Sequence, residues 1–213
     1  MDLQGFTDKI DKDLTRRKLE LSRLTILAKS QHPDTAQEAL SFRASVAFSY
    51  AHWEGFSKNA SMLYVKFINS QKVRVTDLKL CLQAAHLHSS LRRAGASPKL
   101  GYLGAILEEL DVNRSAIFSA TPEKCVDTES NLSSEVFKSL VLGLGLPYLD
   151  AYSTRQAFID EKIVHSRNQV VHGELIPFSR DEALERLETV RELIDLYGQQ
   201  LIDAARDQLY LAP

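Results

Sequence analysis

Apolar side chains recur along this chain at intervals of three, four and seven. Phe6, Ile10, Leu14, Leu21, Leu24 and Leu27 or Ala28 share one face of a helix over about residues 6–28, which His32-Pro33-Asp34 ends. Thr35 and Glu38 have the spacing of a capping box, and the helix they open can run unbroken to Ile68. That second helix carries Phe42, Val46, Phe48, Trp53, Phe56 and Val65 on nearly every side, so it belongs at the centre of a bundle or in an interface.

The helical period continues to the end. A segment from Thr76 or Asp77 to Arg93 is followed by Gly95-Ala96-Ser97-Pro98, and Leu100, Leu103, Ile106, Leu107 and Leu110 mark a further helix. Residues 111–132 are the least regular and most polar stretch. Ser133 or Ser134 caps a helix through Leu142, ended by Gly143-Leu144-Gly145-Leu146-Pro147. Thr154 opens a helix reaching His172, with Gly173 as its stop. Ser179 and Glu182 form a second capping box, and Ala183, Leu187, Val190, Ile194, Tyr197 and Leu201 stripe the last helix to about Leu209. The expectation is an all-α chain, one helical domain over 1–213 with an N-terminal arm over 1–30 and an irregular polar excursion over 111–132.

Composition narrows the class. Nine glycines and six prolines are few for 213 residues, which disfavours turn-rich β architectures. No long unbroken apolar run occurs, and the first residues alternate charged with apolar groups, so neither a membrane span nor a secretory signal is expected. The 26 basic side chains are balanced by 28 acidic ones, so contact with nucleic acid has to be local. Arg16-Arg17-Lys18 and Arg92-Arg93, with Lys99 nearby, are short basic clusters that could track an RNA backbone, although such groups are more often solvated faces. Cys81 and Cys125 form no C-x-x-C, which suits a reducing cytoplasm and suggests neither zinc nor a disulfide framework. Gly143-x-Gly145 lacks the rest of a nucleotide loop, and neither His86-x-His88 nor the His165 and His172 pair has the spacing of a metal site. No cofactor or metal is expected.

One segment conflicts with simple amphipathic packing. On an unbroken α-helix Ile159, Ile163, Val164, Val170 and Val171 span roughly 140°, and Arg167 points near the middle of that arc. A guanidinium on an apolar face requires an acidic neighbour, for which Asp160 and Glu54 are candidates, or an anionic ligand such as phosphate. Asn168 and His172, four residues apart, are close enough for the amide to orient the imidazole.

The run Arg167-Asn168-Gln169-Val170-Val171-His172, an R-x4-H followed by Gly173-Glu174, resembles the signature of the HEPN superfamily. Ser49-Tyr50-Ala51-His52-Trp53-Glu54-Gly55-Phe56 resembles its bacterial RiboL-PSP-type and MAE-like branch. Asn131-Leu132-Ser133-Ser134-Glu135-Val136 before Leu144-Gly145-Leu146 does so as well. The resemblance implies a helical bundle that forms a homodimer with both R-x4-H motifs facing a shared cleft. It also implies metal-independent endoribonuclease activity that leaves 2′,3′-cyclic phosphate and 5′-OH ends on RNA. His172 would then act as general base or acid, Arg167 would pair with phosphate, Asn168 would orient, and Glu54 is a secondary candidate. The usual setting of this branch is a toxin–antitoxin or phage-defence system, with a cognate antitoxin protein as partner. The alternative within the same family is a non-catalytic module that binds RNA, a nucleotide or a protein. A purely structural adaptor, with Arg167 in an internal ion pair, is the third reading.

Overall fold

A computed structural model describes residues 1–94, 99–174 and 177–212, and its regular elements are helical throughout. Three long helices form the frame: α1 (Leu3–Ser30), α2 (Ala36–Ser70) and α9 (Arg180–Arg206). Between α2 and α9 lie α3 (Leu80–Ala94), α4 (Leu100–Arg114), the short α5 (Pro122–Cys125), α6 (Ser134–Gly143), α7 (Asp150–Ser153), a π-helical segment (Phe158–His165) and α8 (Ser166–Val171).

At Ser179, Ser133 and Thr35 the start signals work as the sequence predicts, with one difference. Ser179 Oγ accepts from the Glu182 N–H at 3.1 Å while Glu182 accepts from the Ser179 N–H at 3.0 Å, a complete capping box. Ser133 caps α6 by accepting from Val136 N–H. Thr35 likewise accepts from Glu38 N–H, but the Glu38 carboxylate bonds Asp34 N–H and Arg180 instead of closing the box on Thr35. Its side chain is thereby shared between two helix starts, α2 and α9.

The core forms where α1, α2 and α9 meet. Phe6, Ile10, Leu14 and Leu21 are buried from α1, and Leu187, Val190, Ile194, Tyr197 and Leu201 from α9. Trp53 sits at the centre of α2 with its ring 4.6 Å from that of Phe137 on α6. Close approach is possible because α9 carries Gly198 at the crossing, where a Cβ would lie 2.8 Å from Leu14 and 3.2 Å from Phe56. Serines 41, 45, 49, 57 and 61 form a buried small-residue row on α2. Ser41, Ser45 and Ser61 return their hydroxyls to carbonyls of their own helix.

Two helix bounds need correction, and one correctly expected helix is left partly uncovered. The apolar stripe of α4 is largely uncovered, with Ile106 buried but Leu100 and Leu107 85% and 65% exposed, because α4 packs on α3 and little else. Helical spacing records an apolar face, not the presence of a neighbour. The helix assigned to begin at Thr154 begins only after a turn at residues 154–155; Thr154 is the C-cap of the separate short α7, with its hydroxyl donating back to the Asp150 carbonyl. The last helix stops at Arg206, short of Leu209. The punctuation at Gly95–Pro98 lies outside the described residues. Within 111–132, Phe118, Val126 and Leu132 return to the core. Among the described residues no helix is long and apolar enough to cross a membrane.

Candidate functional site

Helix α8 carries Arg167 and Asn168, and His172 follows it as the C-cap residue. The π-helical segment before it changes how these side chains are presented. There the ladder bonds five residues back, as in Ser166 N–H to the Glu161 carbonyl, so a turn takes one residue more than an α turn. One extra residue rotates everything beyond it by about 100° relative to an unbroken α-helix. The arc expected from sequence therefore breaks. Ile159, Ile163 and Val164 are buried, whereas Val170 is half-buried and Val171 is 62% exposed. Arg167 is half-buried at the rim of the apolar face.

The Arg167 guanidinium lies 4.3 Å from the centroid of the Tyr50 ring, and its Nη1 donates to Asn168 Oδ1 at 2.7 Å. Neither expected carboxylate pairs with it. Asp160 is engaged at the start of α6, where it accepts from the Ser134 N–H at 2.7 Å and the Ser134 hydroxyl at 2.6 Å. Satisfying the orphan N–H of a helix's first residue is a strong competing demand on that carboxylate. Glu54 accepts from the Thr128 hydroxyl at 2.8 Å. Among the described residues Arg167 has no ion pair, and its positive charge is offset by a ring face and a neutral amide alone.

Asn168 thus orients the arginine, not the imidazole. The link from Asn168 to His172 is the backbone bond from His172 N–H to the Asn168 carbonyl, at 3.0 Å. His172 is exposed at the open helix end, and Gly173 follows it with φ +81°, the left-handed turn that glycine adopts without strain. Among the described residues its ring makes no hydrogen bond.

The three sequence patches are joined physically. Tyr50 Oη accepts from Leu132 N–H at 3.1 Å, and Trp53 Nε1 donates to the Leu132 carbonyl at 3.0 Å. Asp160 then ties α6 to the π segment. Burial, with the Glu54 charge adding to it, pushes the Tyr50 hydroxyl up to about 12, against the opposing pull of the Leu132 N–H. Gly55 lets α1 approach, since a Cβ there would meet the Arg17 guanidinium at 3.1 Å. His52 is buried toward α1, 3.4 Å from Glu20 without hydrogen-bond geometry, and burial followed by Arg17 lowers its pKa.

Two site residues escaped sequence reasoning. Arg43 donates to the Glu174 carbonyl at 2.5 Å and the Val170 carbonyl at 3.5 Å, securing the chain on both sides of His172. Tyr50 is the platform for Arg167. The signal that could have found them is their seven-residue separation, which places both on one face of α2. The first basic cluster, by contrast, is spent within the subunit: Arg16 and Arg17 pair with Asp13, and Lys18 with Asp195. Arg93 pairs with Glu109.

The family model described as RiboL-PSP-HEPN matches residues 12–203, nearly the whole chain. Neither the curated proteins nor the solved structures contain a match to it. Family membership points to a nuclease or a nucleotide-binding module. An all-helical bundle that draws the three patches together, and a family match that spans all of them, place this chain in the RiboL-PSP-type family of the HEPN superfamily.

Proposed function

We propose that this protein is a metal-independent endoribonuclease acting through Arg167 and His172. The observation that carries the reading is the state of Arg167: a half-buried guanidinium, aimed by Asn168 and supported by Tyr50, with no carboxylate of its own among the described residues. A phosphate diester supplies the missing charge and accepts a two-pronged hydrogen bond. In the reaction the ribose 2′-OH attacks the adjacent phosphorus while its proton passes to an imidazole. The 5′-oxygen leaves with a proton from a second imidazole, and a 2′,3′-cyclic phosphate and a 5′-OH remain. His172 provides one imidazole, and its copy in a second protomer provides the other when two α8 ends face a common groove. Two Arg167 guanidiniums in that groove concentrate positive potential that the near-neutral chain lacks overall. A growth-arresting role in a toxin–antitoxin or phage-defence system, held in check by an antitoxin protein, fits an RNA-cutting activity of this kind.

The test is incubation of purified protein with total RNA, followed by analysis of fragment ends. Cyclic phosphate ends from the wild type, and none from Arg167→Ala or His172→Ala proteins that retain their helical circular dichroism, are expected. Cleavage unchanged in either variant overturns the assignment. RNA or nucleotide binding without cleavage would replace it with the non-catalytic module.

A further inference from the structure

The junction between the π segment and α8 has a cost that the rest of the molecule must meet. A helix that passes from five-back to four-back bonding skips one acceptor. Ser166 N–H reaches the Glu161 carbonyl, so the next carbonyl, that of Lys162, is the one left over. Arg186 of α9 fills it, with Nε donating to the Lys162 oxygen at 2.6 Å. One turn earlier on α9, Glu182 holds the Lys162 ammonium at 2.9 Å. The same helix therefore grips Lys162 by its main chain and by its side chain.

Packing does not explain the choice of residue. Arg186 is 1% exposed and makes no ion pair among the described residues, and its Nη1 has no hydrogen-bond partner. Its guanidinium sits 5.3 Å from the Phe178 ring centroid, and burial lowers its pKa. An apolar side chain of similar size would fill the space without a buried charge. What only a donor-bearing side chain can do there is saturate the Lys162 carbonyl. We infer that Arg186 is a positioning residue for the R-x4-H site: by satisfying the Lys162 carbonyl it fixes the π-to-α junction, and with it the rotation of α8 that aims Arg167 and His172. The catalytic consequence rests on the ribonuclease reading, whereas the structural one does not.

The experiment compares Arg186→Met and Arg186→Lys with the wild type by amide hydrogen exchange and by steady-state RNA cleavage. In R186M the amides of residues 166–172 are expected to exchange about tenfold faster, with those of α1 unchanged. Its kcat is expected to fall about 10- to 100-fold with KM nearly constant, since misaligned groups lose rate more than binding. R186K, which still carries a donor, should recover most of both. Wild-type exchange and kcat in R186M, or an R186K protein no better than R186M, overturn the inference. If R186M does not fold, R186L, which also lacks a donor, carries the same readouts, and wild-type exchange and kcat in it overturn the inference equally. If the wild type cuts no RNA, the ribonuclease reading fails and the exchange data alone decide the role of Arg186.

Discussion

Replacing Arg167 by Met separates a ligand-seeking arginine from a structural one. The substitution removes a cation–π contact with Tyr50, about 1–2 kcal/mol for a partly desolvated pair, and a charge-assisted hydrogen bond of about 1.5–3 kcal/mol. Against these stand relief of a half-buried charge, several kcal/mol of desolvation, and a thioether–ring contact of about 0.3–1.5 kcal/mol. The contributions nearly cancel. Differential scanning calorimetry should place the variant within about 1 kcal/mol of wild type, or about 2–4 °C for a chain of this size, while RNA cleavage is lost. Had Arg167 been half of a buried ion pair, its removal would cost about 3–5 kcal/mol and depress Tm by about 6–20 °C. A fall of that size, or cleavage at the wild-type rate, would refute the reasoning.

Other perturbations test neighbouring parts of the same logic. Tyr50→Phe keeps the platform but strands the Leu132 N–H, so it should cost about 1–3 kcal/mol in a chemical melt and retain cleavage. Tyr50→Leu should lose most of the cleavage as well. Gly198→Val forces a side chain against Leu14 and Phe56 and should destabilise by about 1–3 kcal/mol, read as a lower urea midpoint with unchanged m. The Ser179 N–H, then Lys162, hold the Glu182 carboxyl at about 2. A depressed carboxyl contributes stability that is complete above the unfolded value of about 4.5 and is lost as pH falls through about 2. Glu182→Gln should therefore lower Tm near neutral pH, with the two curves converging as the solution is acidified below about 4.5. Parallel curves down to the lowest pH would show that the carboxylate charge is not the source.

Much of the frame was legible because its signals are local. A capping box such as Ser179 and Glu182 declares itself within four residues, and the stripe on α9 repeats often enough to settle both its period and its buried face. The site was legible only in composition. Arg167, Asn168 and His172 could be read as a motif, but their directions depend on a π-helical turn, and no spacing within Phe158–His165 distinguishes five-back from four-back bonding. Asp160 illustrates the same limit. It was a plausible partner for Arg167 by position on the helix, yet the start of α6, 26 residues earlier in the chain, claims it. The supports from Arg43, Tyr50 and Arg186 come from helices distant in sequence, and although Arg43 and Tyr50 share a face of α2, nothing local ties that face, or Arg186, to α8. The apolar residues of α4 mark its helix correctly, yet among the described residues Leu100 and Leu107 stay exposed, because a period records a face and not what covers it.

Leu132 and Ala120 share a property beyond their burial. The Asn69 amide takes both main-chain groups of Ala120, at 3.0 and 2.8 Å, just as Tyr50 and Trp53 take both of those of Leu132. The anchoring side chains lie about 24–28 Å apart along one rigid rod. The intervening peptide is a strap buckled at each end, with a turn at Glu129 and Ser130, where φ is +53° at both. Between the buckles Val126 and Thr128 are also buried, the latter donating to Glu54, so insertions at the exposed Glu129 and Ser130 leave every anchor of the strap closed.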